Sequence, residues 1–191
     1  MARIDQSLFY IRSIERHGFN ARGVAWSDEM RQRRRFTMLL KQIKDIRNRT
    51  VVDAGCGFGD LYLHMREKSL LPKRYIGIDM LDVMVEEARK RTGRNILRRN
   101  MLKDPLPEAD WYLASGSFNL LTRFETLLAI KRCLDAANRG IVFNLLEGKE
   151  RDGTFNHWLP REIEKACRPF GRVTLYEGYL EGDFTVRIDS W

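Results

Sequence analysis

Three glycines at alternate positions form the part of the sequence with the clearest chemistry. Gly55, Gly57 and Gly59 follow an apolar run that ends in Asp53, and a segment of helical character begins near residue 60. Glycine has no Cβ, so a strand that breaks into such a loop lets a ligand approach the backbone and the free N–H groups of the next helix. The pattern therefore predicts a ligand-binding turn between a strand and a helix.

A carboxylate ends the next apolar segment of the chain. Residues 75–78 have the composition of a buried strand, and Asp79 follows them. Asp79 lies about 20 residues past the glycine loop, the spacing at which a doubly wound fold binds a ribose diol with an acid. A dinucleotide fingerprint begun at Gly55 would need a glycine where Asp60 stands. We therefore expect a ligand that contains adenosine but is not bound through the dinucleotide pattern.

The composition favours one globular domain of the cytoplasm. The chain has 191 residues, of which 43% are hydrophobic, and this is enough for one core. No run approaches the ~18 apolar residues of a membrane span, and residues 1–5 lack the apolar region of a secretory signal. Cys56, Cys133 and Cys167 are far apart, without metal-ligand spacing. We therefore expect reduced thiols, no metal and no membrane partner, and the sequence specifies no oligomeric state.

Basic residues supply a formal net charge of +8, much of it within residues 31–49 and 89–103. A clustered basic surface can bind phosphate backbones. Solvated helix faces would explain the same residues, and neither segment has the interleaved aromatic residues of a single-strand stacking platform. Nucleic acid therefore stands as an alternative partner.

From residue 50 onward, segments of strand and helix character alternate. Such alternation predicts an α/β fold, doubly wound, with a mostly parallel seven-stranded sheet and helices on both faces. Pro105 and Pro107 argue against a full helix between residues 100 and 108. The predicted strands are 50–54, 74–79, 95–99, 110–115, 140–146, 172–179 and 183–188, and the predicted helices are 59–69, 81–92, 121–137 and 161–168.

Residues 1–49 are expected to form an N-terminal helical cap. Apolar residues recur at helical spacing between positions 36 and 46, and Ser27-Asp28 has the composition of a helix start. Residues 50–191 would form the core, and the two parts would make one globular unit.

The motif Asp53-x-Gly-x-Gly-x-Gly59, together with Asp79, resembles the class I S-adenosylmethionine-dependent methyltransferases. The segment Ser115–Asn119 and the loop His157-x-x-Pro160 are similar to those of small bacterial and phage members of undefined substrate. The resemblance covers residues 50–147 well and the flanks more loosely. It implies a Rossmann-like fold closed by an antiparallel C-terminal hairpin, with S-adenosylmethionine as cofactor and S-adenosylhomocysteine as product.

The resemblance also implies roles for residues of the glycine loop and the strand ends. Gly55, Cys56, Gly57 and Gly59 would lie against the aminoacyl part of the cofactor. Asp53 would orient the loop and meet the cofactor ammonium through water. Asp79 would bind the ribose. The remaining cofactor contacts would be Met80, Asn100 and Met101 at the adenine and Ser115 and Gly116 at the end of the fourth strand.

The remaining candidates are an arginine for the cofactor and a histidine for the transfer itself. Arg35 in the N-terminal cap, with Arg22 as the runner-up, could pair with the cofactor carboxylate. His157 follows the fifth strand and could deprotonate an oxygen or nitrogen acceptor, although a structural histidine would look the same in the sequence.

The resemblance predicts in-line transfer of a methyl group to an O or N acceptor, with a small molecule favoured. Residues 115–119 contain neither the Pro-Pro signature of exocyclic-amine methyltransferases nor a Pro-Cys nucleophile. Two alternatives remain: an RNA or DNA methyltransferase that docks through the basic segments, and a non-catalytic S-adenosylmethionine-binding partner subunit.

Overall fold

The computed structural model describes residues 5–24, 29–149 and 154–191, so the predicted helix start at Ser27-Asp28 lies outside the described residues. None of the described helices is long and apolar enough to cross a membrane. The helices are α1 (Gln6–His17), α2 (Glu29–Lys41), α3 (Asp60–Glu67), α4 (Asp82–Thr92), α5 (Arg123–Asp135) and α6 (Pro160–Cys167). The strands are β1 (Thr50–Ala54), β2 (Arg74–Asp79), β3 (Asn95–Arg98), β4 (Ala109–Ala114), β5 (Ala137–Glu147), β6 (His157–Trp158), β7 (Arg172–Tyr176) and β8 (Asp183–Asp189).

The strands form one sheet in the order β3-β2-β1-β4-β5-β8-β7. Strand β8 runs antiparallel to both β5 and β7, whereas β1 to β5 pair in parallel. The predicted doubly wound, mostly parallel sheet with an antiparallel C-terminal hairpin is therefore confirmed. Strand β6 is an eighth strand that pairs with the end of β5, and two residues are too short for alternation in the sequence to reveal.

The central strands are buried on both faces. Val51 and Leu113 pack in a core that includes residues of α2, α3 and α4. Val52 and Ala114, the next residues along the same strands, pack in a second core with residues of α5 and α6. Successive side chains of a strand point to opposite faces, so the near-continuous apolar runs of β1 and β4 have helices on both sides.

The two N-terminal helices are attached very differently. On α2, Phe36, Leu39 and Leu40 are buried in the core, and Arg35 forms a buried ion pair with Asp183 of β8 at 2.5 Å. Helix α1 has no buried residue. Its contacts include an edge-to-face pair between Phe9 and Phe155, with ring centroids 6.0 Å apart. The core thus holds α2 in place, whereas α1 lies at the surface of the protein.

Candidate active site

A cavity of about 780 Å³ opens at the carboxyl ends of the parallel strands. It lies where the strand order reverses between β1 and β4, the place at which open α/β sheets bind ligands. The residues that follow β1, β2, β3 and β4 line the cavity, and α1, α2 and β6 complete its wall.

The glycine loop approaches the residues after β4 too closely for a side chain. Gly55 has φ +75°, and a Cβ there would clash with the Cβ of Ser117. Gly55, Cys56 and Gly57 all line the cavity. Gly59 does not line it: a Cβ at Gly59 would lie 2.5 Å from Cγ2 of Thr92, so this glycine lets the loop pack on α4.

Asp79 is held by the glycine loop and by the start of the next helix. Its Oδ2 accepts from the Gly57 N–H at 3.0 Å, and its Oδ1 accepts from the Leu81 N–H at 3.1 Å. Burial raises the pKa of Asp79, and these backbone donors oppose the rise. Each carboxylate oxygen keeps a second acceptor position, so the group can still receive two hydrogen bonds from a ribose diol.

Asp53 is the most buried carboxylate of the cavity wall, with 2% of its surface exposed. Burial, with Asp79 and Asp60 nearby, raises the pKa of Asp53 to about 7, although its Oδ2 accepts from the Tyr75 hydroxyl at 2.7 Å. A cation bound beside Asp53 would favour its ionised form. This end of the cavity therefore suits a positively charged ligand group.

The turn after β3 carries Asn100 and Met101 into the cavity next to Met80. Asn100 Oδ1 accepts from the Leu102 N–H at 2.9 Å, and Asp104 Oδ2 accepts from the Asn100 N–H at 2.7 Å. These bonds fix the turn. The side-chain N–H groups of Asn100 can therefore act as hydrogen-bond donors to a ligand. A ring nitrogen of adenine is an acceptor of that kind.

The two arginine candidates are placed differently. Arg35 lines the cavity, whereas Arg22 is exposed and is not part of the wall. Asp183 pairs with Arg35 at 2.5 Å and also lies 3.7 Å from Arg31, a second residue of the wall. Two guanidinium groups lie beside the Asp183 carboxylate here, and a guanidinium group can bind a carboxylate of a ligand.

Ser115, Gly116 and His157 face the same cavity. The Ser115 hydroxyl donates to Asn144 Oδ1 at 2.9 Å, and the neighbouring Ser117 hydroxyl donates to the Ala54 carbonyl at 2.8 Å. His157 Nδ1 lies 3.0 Å from the Phe155 carbonyl oxygen. The structure thus brings together the predicted site residues except Gly59 and the runner-up Arg22.

Sequence reasoning missed Tyr10 and Ser117, which also line the cavity. Tyr10 is half-buried, and the loss of water around its phenol, with a smaller contribution from Asp79, raises the pKa of Tyr10, so the phenol stays protonated at neutral pH. Tyr10 lies on α1, more than 40 residues before the glycine loop. No local pattern connects these two segments, so the sequence carried no signal for this residue.

Many arginines of the two basic segments are engaged within the chain. Those contacts hold α2, the glycine loop and α4 in place, so part of the basic charge has a structural role. The partners are Glu67 for Arg33, Asp183 for Arg35, Ser69 for Arg47, Ile96 for Arg89, Asp60 for Arg91 and Asp82 for Arg98.

Residues 46–190 match a family model described as a methyltransferase domain. No curated protein matches the chain in sequence. Magnesium protoporphyrin IX methyltransferase (ChlM) from Synechocystis PCC 6803, solved with bound SAM, is 14% identical over 100% of both chains, with a TM-score of 0.72. A SAM-dependent methyltransferase from Aquifex aeolicus is 22% identical, with 86% of this chain and 94% of that chain covered and a TM-score of 0.63. A chain from the complex of the Haloferax volcanii Trm112 methyltransferase activator with a methyltransferase is 16% identical, covers 85% and 91%, and has a TM-score of 0.67.

The structural likenesses establish the fold, and the family model spans most of the chain. Asp53 and Asp79 both line the cavity at the carboxyl ends of the parallel strands. The chain therefore belongs to the methyltransferase-domain family and is a class I, S-adenosylmethionine-dependent methyltransferase.

Proposed function

We propose that this protein methylates an oxygen or nitrogen atom of a small molecule. The observation that carries the proposal is that one cavity of about 780 Å³ holds both the cofactor candidates and a second group of side chains from β5 and β6. This volume lies within the range of sites that enclose small ligands. Helices α1 and α2 contribute Gln6, Ser7, Tyr10 and Arg35 to the wall, so they enclose the site rather than leaving a flat docking surface.

The cofactor residues have complementary chemical tasks in this proposal. Asp79 binds the ribose. Asn100 forms a hydrogen bond with the edge of the adenine ring, and Met80 and Met101 lie beside that ring. Asp53 compensates the positive charge of the aminoacyl end, and Arg35 pairs with the cofactor carboxylate. The backbone of Gly55, Cys56 and Gly57 lies against the same end, close to Ser115 and Gly116, and Gly59 supports it by packing on α4.

Bound S-adenosylmethionine supplies a methyl group that is already activated on a sulfonium. The tasks of the protein are then to orient the acceptor, to exclude water and to remove a proton where the acceptor carries one. His157 is our candidate for the proton transfer, because its ring lines the cavity beside the apolar residues Leu121, Leu146 and Phe155.

The proposal is tested by supplying the purified enzyme with radiolabelled S-adenosylmethionine and fractions of a cell extract. We expect label to enter the low-molecular-mass fraction with the wild-type enzyme. An Asp79→Ala variant, which loses the ribose carboxylate, should transfer none, and Asp82→Ala, which removes an exposed carboxylate nearby, should transfer as the wild type does. Label that enters only RNA, DNA or protein would contradict a small-molecule acceptor.

A further inference from the structure

We infer that the methyl acceptor carries a hydrogen on its nucleophilic atom, so that it is a hydroxyl or an amine rather than a carboxylate. The inference rests on the proposed function and specifies its substrate class. It follows from hydrogen-bond directions at Ser115, Ser117 and His157, three of the polar side chains that line the cavity after β4 and on β6.

His157 has a defined tautomer. A carbonyl oxygen only accepts, so the 3.0 Å contact with the Phe155 carbonyl requires the hydrogen on Nδ1. The neutral ring then presents Nε2 as an acceptor. Pairing of His157 with Leu146 fixes the backbone, and the ring packs beside Gly148, where a Cβ would lie 3.4 Å from Cδ2 of His157. The ring is thus held with its basic nitrogen available.

Ser117 has its only hydroxyl hydrogen in use. The hydroxyl donates to the Ala54 carbonyl at 2.8 Å, and that oxygen has no hydrogen to give in return. A serine hydroxyl has one hydrogen and two lone pairs. Ser117 can therefore only accept a hydrogen bond from a ligand in the cavity.

Ser115 is oriented by a chain of buried polar groups. It donates to Asn144 Oδ1 at 2.9 Å, and Asn144 Nδ2 in turn donates to Thr185 Oγ1 at 2.7 Å and to the Tyr179 hydroxyl at 3.2 Å. Asn144 and Thr185 are fully buried. With its hydrogen committed to Asn144, Ser115 also offers only lone pairs to the cavity.

Three acceptors on one side of the site select a donor. A hydroxyl or amine can give its hydrogen to one of them, while a carboxylate or an ether oxygen would face them lone pair against lone pair. Leaving buried polar groups without partners weakens binding by about 10- to 100-fold. The arginines of the wall that could bind a carboxylate lie elsewhere: Arg31 and Arg35 belong to α2, and Arg99 follows β3.

The reaction balances on these groups. The nucleophile's lone pair forms the bond to the methyl carbon while the sulfur–methyl bond breaks and leaves its electron pair on sulfur. The hydrogen of the nucleophile passes to Nε2 of His157. The resulting imidazolium keeps its Nδ1–H bond to the Phe155 carbonyl.

Calorimetry with S-adenosylhomocysteine comes first, because a failure to bind this product would refute the proposed function itself. Binding would leave only the chemistry of the acceptor to be tested. Long-range ¹H–¹⁵N NMR of the loaded protein then reports the tautomer of His157. We expect a protonated Nδ1 and an unprotonated Nε2 in the neutral ring, with His157→Gln to assign the signal. The opposite tautomer would overturn the inference.

Three probes of similar shape test the donor preference: benzyl alcohol, benzyl methyl ether and benzoate, added to the loaded protein at millimolar concentration. The alcohol should bind at least about tenfold more tightly than the other two, and Ser117→Ala or His157→Gln should remove this preference. His17→Gln, a change at an exposed histidine of α1, should keep it. Equal binding of the three, tighter binding of benzoate, or binding of none would overturn the inference.

Discussion

The affinity for S-adenosylmethionine should depend on pH through Asp53. In the free protein the pKa of Asp53 is raised to about 7 by burial, with Asp79 and Asp60 contributing. The cationic aminoacyl end of the cofactor favours the ionised carboxylate, so binding at acidic pH must first release a proton. The folded-state pKa lies above the ordinary value, and the proton is therefore bound below pH 7 and lost above it.

The size of the effect follows from the ionised fraction of the free site. That fraction is about one in eleven at pH 6.0 and about three in four at pH 7.5, so the dissociation constant should fall about eightfold across this range. The upper limit stays below the pH at which an α-amino group ordinarily loses its proton, about 7.7 to 8.0. A larger range would mix the titration of the ligand with that of Asp53.

Calorimetry in two buffers of different ionisation enthalpy would measure both the affinity and the protons released. We expect proton release near pH 6.5 and a flat profile for Asp53→Asn, whose amide can still accept from the Tyr75 hydroxyl. An affinity that is constant from pH 6.0 to 7.5, or that falls as the pH rises, would refute the assignment of Asp53 to the cationic end of the cofactor.

Three other perturbations test separate parts of the account. Arg35→Ala should lower the free energy of unfolding, measured in urea, by about 3–5 kcal/mol, because it leaves Asp183 buried with Arg31 at a longer distance. The control Arg34→Ala, at an exposed position, should change it by no more than about 0.5 kcal/mol. An equally small change for Arg35→Ala would contradict a stabilising role of the buried ion pair. Gly59→Ala should destabilise the fold by about 1–3 kcal/mol, because residue 59 has a φ of +81° and the added Cβ would clash with Thr92. The cofactor affinity of the folded variant should not change. A loss of affinity would mean that Gly59 contacts the ligand. Fluorescence anisotropy with a labelled RNA should show weak binding that salt abolishes, because several arginines of both basic segments already have partners, whereas tight binding that survives 200 mM salt would favour the nucleic-acid alternative.

The fold could be predicted from the sequence because its decisive signals are local. Strands β1, β2 and β4 are largely apolar and buried in the sheet; β2 ends at Asp79, and Gly55 and Ser115 directly follow β1 and β4. Among the described residues, the two of β6 pair with the end of β5, and β5 begins at Ala137 and includes Asn138 and Arg139, which were not expected in a strand. These segments become strands through pairing with distant neighbours, which no local pattern encodes.

The site residues also fall into those with a signal in the sequence and those that are positioned by tertiary contacts. Asp79 followed from its position at the end of a strand, because parallel strands bring their carboxyl ends to one edge. Asn100 followed from the resemblance to the class I methyltransferases. Ser117 faces Gly55 only because β1 and β4 pair with Asp53 opposite Leu113. Arg35 finds its partner Asp183 148 residues away along the chain. Such contacts depend on tertiary approach, and the basic run around Arg35 could not reveal them.

The central claim is that Asp79 binds the ribose of S-adenosylmethionine, and calorimetry with Asp79→Ala tests it most directly. Two charge-assisted hydrogen bonds would be lost, and at about 1.5–3 kcal/mol each the affinity should fall by at least about 100-fold. The matched control is Asp82→Ala, since the Asp82 side chain is 67% exposed and pairs with Arg98 outside the cavity. Circular dichroism would establish that both variants are folded. Loss of binding in Asp79→Ala alone is the predicted result, and an affinity within about threefold of wild type would contradict the account.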